Sequence, residues 1–247
     1  MWTYFIFYGI IVKNEISGDY MKKKVFYTEL SYVFGLIIMA FAAAFTEKAD
    51  FGMSMVVAPA YIIHLKVSQF LPWFSFGVSE YFFQGLLVLL TIVIMRRFKL
   101  SYLFSFVTAL IYGTLLDTAM NIISGLPDNT LLFRILWYVL GTSFCSLAVS
   151  LFFHTYISPE AYELIVKEVS VKLGCNINKV KTIYDCFSTV LGIFLSFLFF
   201  GFGVFEGVKW GTVICALING FLISCFTKLL ERFFEFKNKF KIQKFFI

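Results

Sequence analysis

Charged residues are scarce in this chain of 247 amino acids, and proline and histidine are scarcer still. Only 15% of the residues are Asp, Glu, Lys or Arg, whereas a soluble domain has about 25%. The chain has four prolines and two histidines. Hydrophobic residues make up 60% of it, and the mean hydropathy is +0.85. This composition excludes an ordinary soluble domain and indicates that lipid surrounds most of the protein surface.

No familiar catalytic motif occurs in the sequence. HExxH, GxSxG, the Walker phosphate loop and a GxGxxG segment opening a helix are all missing. Five cysteines are present, but no two form a CxxC pair, and their spacing suits neither a zinc site nor a disulfide scaffold. We therefore predict that the protein is not an enzyme and has no cofactor.

The sequence raises one metal hypothesis, a soft-metal site formed by His64 with Met53 and Met55. However, no Cys or second His lies nearby to complete such a site. We predict no metal site. His64 remains a candidate for an interfacial hydrogen bond or a substrate contact.

Six stretches are long and apolar enough to cross a bilayer, which takes about 20 residues. The sequence therefore predicts an all-α polytopic membrane helix bundle with about six transmembrane helices. The small residues Ala42, Ala43 and Ala44 in the first stretch suit close helix packing. The predicted spans are residues 30–46, 76–95, 101–124, 131–153, 183–205 and 210–230.

Basic residues are distributed unevenly between the two ends of these spans. If the N-terminus is cytoplasmic, the outer side holds only Lys48, Lys66, Arg134 and Lys209, which leaves 17 of the 21 Lys and Arg residues inside. The positive-inside rule then predicts a multi-pass protein of the cell membrane with both termini in the cytoplasm. Anionic lipid headgroups account for the net charge of +6, and nucleic acid is not predicted as a partner.

An internal repeat divides the chain into two halves. ALIYGTLL at residues 109–116 matches ALINGFLI at residues 216–223 in five of eight positions. Each half holds three spans, and because three is odd, the second half must insert upside down relative to the first, as in many transporters. The predicted organisation is an N-terminal cytoplasmic or interfacial segment (1–28), two inverted three-helix repeats (29–125 and 126–232) and a basic cytoplasmic tail (233–247).

Each repeat has a connector between its first and second span. Residues 51–66 are apolar but too short to span, with Pro59 in the middle where it would break a helix, so we expect a short re-entrant or interfacial helix. Residues 158–173 predict an amphipathic helix on the cytoplasmic surface, with Ser158 as N-cap, Pro159 in the first turn and its charged residues in water. That helix is either a structural surface element, or a gate or docking site for a protein partner.

Polar side chains within or beside the spans are the candidates for a substrate site, because ionisable groups are costly in a membrane and usually face the protein interior. Glu80 and Gln84 are four residues apart, as are Asp117 and Asn121, so each pair shares one helix face. Each could instead be structural, as a helix-end group near the headgroups or as a hydrogen bond between helices. The tentative substrate-binding residues are Ser54, His64, Glu80, Gln84, Asp117, Asn121 and Asn219.

Four segments resemble the YczE/YitT group of bacterial membrane proteins. They are ADFGMSMVVAPAYIIHLK, LPWFSFGVSEYFFQ, ALIYGTLLD and GTVICALINGFLI, and the likeness runs from about residue 29 to about residue 230. The resemblance implies a membrane location and a transporter-like protein, but no substrate and no site residues. We therefore predict a transporter or permease for an unidentified small molecule, with its site between the two repeats. A membrane scaffold or regulatory protein that docks partner proteins is the alternative.

Overall fold

The structure is a computed structural model that describes residues 23–128, 130–157, 160–175 and 177–240. Six of its helices are long and apolar enough to cross a membrane, which confirms the predicted all-α polytopic bundle. The elements in chain order are β1 (Lys24–Tyr27), α1 (Thr28–Ala49), α2 (Ala58–Val67), α3 (Phe76–Met95), α4 (Leu100–Ser124), α5 (Leu131–Phe152), α6 (Ala161–Leu173), α7 (Ile177–Phe200), α8 (Trp210–Phe233) and β2 (Phe234–Lys237).

Two short strands, which the sequence did not predict, join the beginning of the helical region to its end. β1 pairs in parallel with β2, and Phe26 packs against Phe234 and Phe236 with ring centroids 5.3 and 5.8 Å away. Glu29, in the first turn of α1, accepts a hydrogen bond from the backbone N–H of Lys239. We call this end of the bundle the strand end and the opposite end the far end. The first half denotes α1–α4, and the second half denotes α5–α8.

α1 and α5 form the central helix pair of the bundle. Ala42, Ala43 and Ala44 are all buried, as their small size predicts. Opposite them, a Cβ added at Gly141 would lie 3.0 Å from the carbonyl oxygen of Ala42 and 2.6 Å from Thr46. The two helices therefore touch along their backbones, which only small residues permit.

The remaining long helices pack differently in the two halves. α3 and α4 cross at two glycines, and a Cβ on Gly113 would lie only 2.6 Å from the carbonyl oxygen of Gly77. Gly220 occupies the corresponding position of the internal repeat in α8, yet a Cβ there would meet nothing within 4 Å. The close helix contact of the first half thus has no counterpart at Gly220.

α2 is a short helix that begins inside the bundle. Pro59 does not break it, because the helix starts at Ala58 and Pro59 occupies the first turn, where its missing N–H is not needed. The helix begins beside Gly192, in the middle of α7, and ends where Lys66 lies over the ring of Phe200 at the far end. Of the two alternatives that the sequence offered, these contacts favour a re-entrant helix over an interfacial one.

α6 confirms the helix that the sequence predicts over residues 158–173, but its first turns lie inside the bundle, so the predicted place on the surface is wrong. Its first N–H, that of Ala161, donates to Oε1 of Gln84 at 3.2 Å, and its Lys172 reaches the carbonyl oxygen of Ile94. α6 therefore runs beside α3 from the middle of that helix to the strand end. Ser158 and Pro159 lie outside the described residues, and Glu160 occupies the N-cap position.

The charged residues of α6 explain the error. The side chain of Glu168, expected to face water, is 7% exposed and forms ion pairs with Arg97 at 3.0 Å and Lys99 at 2.5 Å. Burial raises the pKa of Glu168, but hydrogen bonds from Lys99 and Arg97 outweigh that effect and hold it below its usual value. The buried acid is therefore kept ionised by partners from the α3–α4 turn.

Each short helix packs against long helices of both halves. α2 contacts α7 of the second half as well as α3 of its own half. α6 contacts α3 of the first half as well as α7 of its own half. The two short helices are therefore exchanged between the halves, and both have their N-termini in the middle of the bundle.

Candidate functional site

Glu80 and Gln84 point from α3 toward the N-terminus of α6, and both are 0% exposed. The amide nitrogen of Gln84 donates to Oε2 of Glu80 at 3.1 Å, and the hydroxyl of Tyr162 donates to the same oxygen at 2.9 Å. The amide oxygen of Gln84 accepts the N–H of Ala161, one of the first-turn donors that a helix leaves unpaired. Glu80 and Gln84 thus share one face of α3, as their spacing of four predicts, and through that face α3 binds α6 of the other half.

Glu160 brings a second carboxyl group to the same place. It stands at the N-cap of α6, is 7% exposed, and makes no capping hydrogen bond with its side chain. Burial, together with the neighbouring charge of Glu80, raises the pKa of Glu160 to about 8, although Lys181 opposes the shift. This residue therefore favours its protonated form at neutral pH.

Three oxygen atoms in this region are buried without a hydrogen-bond partner among the described residues: Oε1 of Glu80, Oε1 of Glu160 and the hydroxyl of Tyr112. Tyr112 is 0% exposed, and both carboxyl groups lie within electrostatic reach of its hydroxyl. An unsatisfied buried polar atom costs about 1–3 kcal/mol. We call Glu80, Gln84, Tyr112, Glu160 and Tyr162 the carboxyl cluster. Its free oxygens can bind a proton or accept a hydrogen bond from a ligand.

A charged group from α7 borders the carboxyl cluster. Lys181 lies 2.9 Å from a carboxylate oxygen of Glu163 in α6 and 3.3 Å from one of Asp185, one turn along α7. Two carboxylates therefore already share this one ammonium group. It is not free to neutralise the carboxyl cluster as well.

Asp117 and Asn121 lie away from the cluster and do not form a site together. Oδ1 of Asp117 accepts the backbone N–H of Gly77 at 2.7 Å, and its other oxygen accepts the hydroxyl of Ser75. Asp117 thus caps the N-terminus of α3, which is the structural alternative that the sequence left open. Asn121, one turn further along α4, is exposed.

The other three predicted residues occupy separate places. Nδ1 of His64 hydrogen-bonds the carbonyl oxygen of Phe74 at 2.9 Å at the far end. Oδ1 of Asn219 accepts the hydroxyl of Ser146 at 2.8 Å, which joins α8 to α5. Ser54 precedes α2 and lines a cavity between the halves. The structure therefore brings together Glu80 and Gln84 but not the seven predicted residues as one site.

The cavity beside Ser54 is small and mostly apolar. It leaves about 20 Å³ for the centres of water molecules, which is room for about one or two waters. Tyr112 is its link to the carboxyl cluster. Its remaining lining comes from both halves: Met39, Ala42, Ala43, Thr46, Gly52, Met53, Val57, Tyr138, Thr142, Cys145 and Cys215.

Polar contacts close the far end between the halves. Asp50, just after α1, forms ion pairs with Arg134 of the second half at 3.1 Å and with Lys209. Beside them, the N–H of Met53 donates to the carbonyl oxygen of Gly207 at 2.8 Å. We call these contacts the far-end network. A ligand could reach the middle from this side only after they part.

Sequence reasoning missed Glu160, Tyr162 and Tyr112. Glu160 falls within the stretch that was expected to form a surface helix, because its partner Glu80 is far away in the sequence. One signal was present: an Ala-Tyr pair occurs at 60–61 and again at 161–162, a separation of 101 residues that is close to the 107 residues between the matching segments 109–116 and 216–223. Extending the repeat through the connectors would have placed Tyr162 opposite the other half.

Comparison with known families identifies the chain only broadly. The described residues contain no group of three or more His, Cys, Asp or Glu that could hold a metal ion. No curated protein and no solved structure matches the chain. A match to a family of unknown function, DUF6198, covers residues 26–228 and so includes every residue of the carboxyl cluster. The chain therefore belongs to the DUF6198 family.

Proposed function

We propose that this protein is a transporter or permease that moves a small molecule across the cell membrane through a site between its two halves. The observation that carries the proposal is the carboxyl cluster, where α3 of one half meets α6 of the other. Ionisable groups inside a membrane are rare and usually functional. A purely structural bundle has no use for two buried carboxyl groups with unpartnered oxygens, since apolar residues would be more stable there.

The pattern of helix contacts supports an inverted repeat. Exchanging the halves maps α1 onto α5, α2 onto α6, α3 onto α7 and α4 onto α8. Under this exchange the contact of α2 with α7 becomes that of α6 with α3, and the contact of α1 with α4 becomes that of α5 with α8. Inverted repeats with short helices that end at the bilayer midplane are typical of secondary transporters. The resemblance to the YczE/YitT group also implies a transporter-like protein, and it remains a prediction.

The charge distribution supports a cytoplasmic strand end. At the far end the described basic residues are those that the sequence assigned to the outside, for example Lys48, which pairs with Asp128 at 3.0 Å, and Arg134. The strand end carries the positively charged β2 region and the α3–α4 turn with Arg97 and Lys99. By the positive-inside rule, both chain termini are then cytoplasmic.

The mechanism that fits this arrangement is a movement of one half against the other. In the described conformation the far-end network is formed and the cavity holds little more than water, so the molecule is closed on that side. Opening would break the Asp50 ion pairs and enlarge the cavity beside Ser54. α6 would shift along α3 at the other end, which would change the environment of Glu80 and Glu160.

A scaffold or regulatory protein is the second candidate, and the small cavity is the observation that favours it. Such a protein would keep a dry core and bind partners through its surface. The exposed C-terminal end of α6, where Val171 and Leu173 are 66% and 63% exposed, offers one place for a partner.

Ligand binding and flux separate the two candidates. Purified protein in nanodiscs is first screened against small-molecule metabolites by thermal shift, and each stabilising compound is then tested for uptake into proteoliposomes. The proposal expects uptake by the wild type, its loss in Glu80→Gln, and its retention in Glu231→Gln, the same change at a 58% exposed carboxyl group of a span. If Glu80→Gln takes up the compound as fast as the wild type does, the carboxyl cluster is not part of the transport pathway.

A further inference from the structure

We propose that the Glu80–Glu160 pair holds one exchangeable proton, carried by Glu160, and that this proton is the coupling ion of transport. The coupling part rests on the proposed function, whereas the proton site itself stands on the geometry alone. The step involves one O–H bond: the carboxylic acid of Glu160 releases its proton to water and becomes a carboxylate.

Hydrogen bonding decides which of the two carboxyl groups bears the proton. Glu80 receives two donated hydrogen bonds, from Gln84 and Tyr162, and donors of this kind stabilise the ionised form. Glu160 receives none at its unpartnered oxygen from the described residues. Glu80 and Glu160 are both buried and lie within electrostatic range of one another, and two such carboxyl groups cannot both ionise cheaply, so the pair keeps one proton. The group without donors is the one that keeps it.

The surroundings of Glu160 offer no free positive charge in place of the proton. Lys181 is the cation among the groups that act on it, and it is already shared by Glu163 and Asp185. The titratable or charged groups within electrostatic range of Glu160 are Tyr32 from α1, Glu80 from α3, Tyr112 from α4, Cys145 from α5, Tyr162 and Glu163 from α6, and Lys181 from α7.

A metal cation fits this site less well than a proton. Hard cations such as Ca²⁺ and Mg²⁺ take about six or more oxygen ligands. The described residues supply three unpartnered oxygens here, those of Glu80, Glu160 and Tyr112. A proton needs only one of them.

Loss of the proton would destabilise the contact between the start of α6 and α3. With both groups ionised, two like charges face each other where α6 begins and where Ala161 and Tyr162 bind α3. Repulsion then favours a conformation in which the start of α6 leaves Glu80 and Gln84. The ion pairs of Glu168 with Arg97 and Lys99 hold the other end of α6, so that end acts as a hinge.

Infrared difference spectroscopy on the full chain in nanodiscs tests the proton site. As pH rises from about 5 to about 9, a range that lies above the ordinary pKa of about 4 of carboxyl groups, the wild type should lose one buried carboxylic-acid C=O band while a carboxylate band grows. Glu160→Gln should lack the band at every pH. Glu231→Gln, at a 58% exposed carboxyl of the strand end, should keep it.

Three results would overturn the inference: no carboxylic-acid band at neutral pH, a band that survives in Glu160→Gln, or a band that sodium ions remove at constant pH. If Glu160→Gln does not fold, the wild-type titration decides alone, because a missing band at neutral pH is sufficient to reject the site.

Hydrogen–deuterium exchange tests the movement. Exchange is expressed at each pH relative to the intrinsic rate of an unprotected amide, because that rate itself rises with pH. On this scale, exchange of residues 160–173 in the wild type should rise as the band disappears, and in Glu160→Gln it should not depend on pH. Exchange that stays constant in the wild type would reject the coupling. If the protein shows the carboxylic-acid band but transports no solute, the proton site stands and the proposed function is rejected. If it transports a solute but shows no band, the proposed function stands and the proton site is rejected.

Discussion

The glycine contact between α3 and α4 gives a prediction whose control lies in the repeat itself. A Cβ on Gly113 would lie 2.6 Å from the backbone oxygen of Gly77, whereas ordinary contact begins at 3.4 Å, so the helices must separate by about 0.8 Å in Gly113→Ala. That separation also stretches the 2.7 Å hydrogen bond from the Gly77 N–H to Asp117. Overpacking of this kind costs about 1–3 kcal/mol.

The matched variant is Gly220→Ala, at the corresponding position of the second half. A Cβ there meets nothing within 4 Å, and alanine is about 1 kcal/mol better than glycine inside a helix. Thermal unfolding in nanodiscs measures both, with about 2–4 °C per kcal/mol for a protein of this size. Gly113→Ala should lower Tm by about 2–12 °C, and Gly220→Ala should leave it unchanged or slightly higher. Equal decreases would refute the difference in helix packing between the halves.

Three further predictions concern the charges and cysteines of the strand end and the carboxyl cluster. Burial raises the pKa of Glu160 from 4.5 to about 8, so between these pH values the folded protein keeps a proton that the unfolded chain has lost. Tm should therefore fall as pH rises from about 4.5 to about 8, and it should fall less in Glu160→Gln. An equal fall in both proteins would contradict the assignment. Glu168→Gln removes two ion pairs from a 7% exposed carboxylate and should lower Tm by several degrees. The control Glu231→Gln, at a 58% exposed carboxylate, should leave Tm unchanged. Equal Tm values for the two variants would show that the ion pairs of Glu168 do not hold α6 in place. Cys175 is exposed beyond the end of α6, so a variant retaining it alone should react with an impermeant maleimide from the cytoplasmic side, and reaction from the outside would reverse the orientation.

The long helices could be predicted because length and apolarity suffice to define a span in lipid. α3 has the predicted bounds, and the other five differ only at their ends, where caps rather than hydropathy decide. α7, for example, begins at Ile177, six residues before the predicted span, because its first turns are polar and face Glu163 through Lys181.

The burial of α6 could not be predicted in the same way. Its alternation of charged and apolar residues is the pattern of a surface helix, and the sequence does not show that Glu168 finds its basic partners about 70 residues earlier. Pro59 misled for a related reason, since its effect depends on whether it falls within a helix or in the first turn.

The candidate site shows the limit of spacing arguments. Glu80 and Gln84 share a face and act together, as their spacing of four predicts. Asp117 and Asn121 have the same spacing, but Asp117 already reaches the first residues of α3, so the next turn of α4 passes beyond that helix. Glu160 escaped prediction because its partner comes from the other half.

A distance measurement between the two halves tests transport by relative movement most directly. Spin labels on cysteines introduced at Gln69 and Phe202, both exposed at the far end of different halves, would report that distance in nanodiscs. If the halves move relative to each other, the wild type should show two spin-label distances whose populations shift as Glu160 loses its proton. In Glu160→Gln the ratio of the two populations should not change with pH. One narrow distance, unchanged at every pH in the wild type, would contradict it.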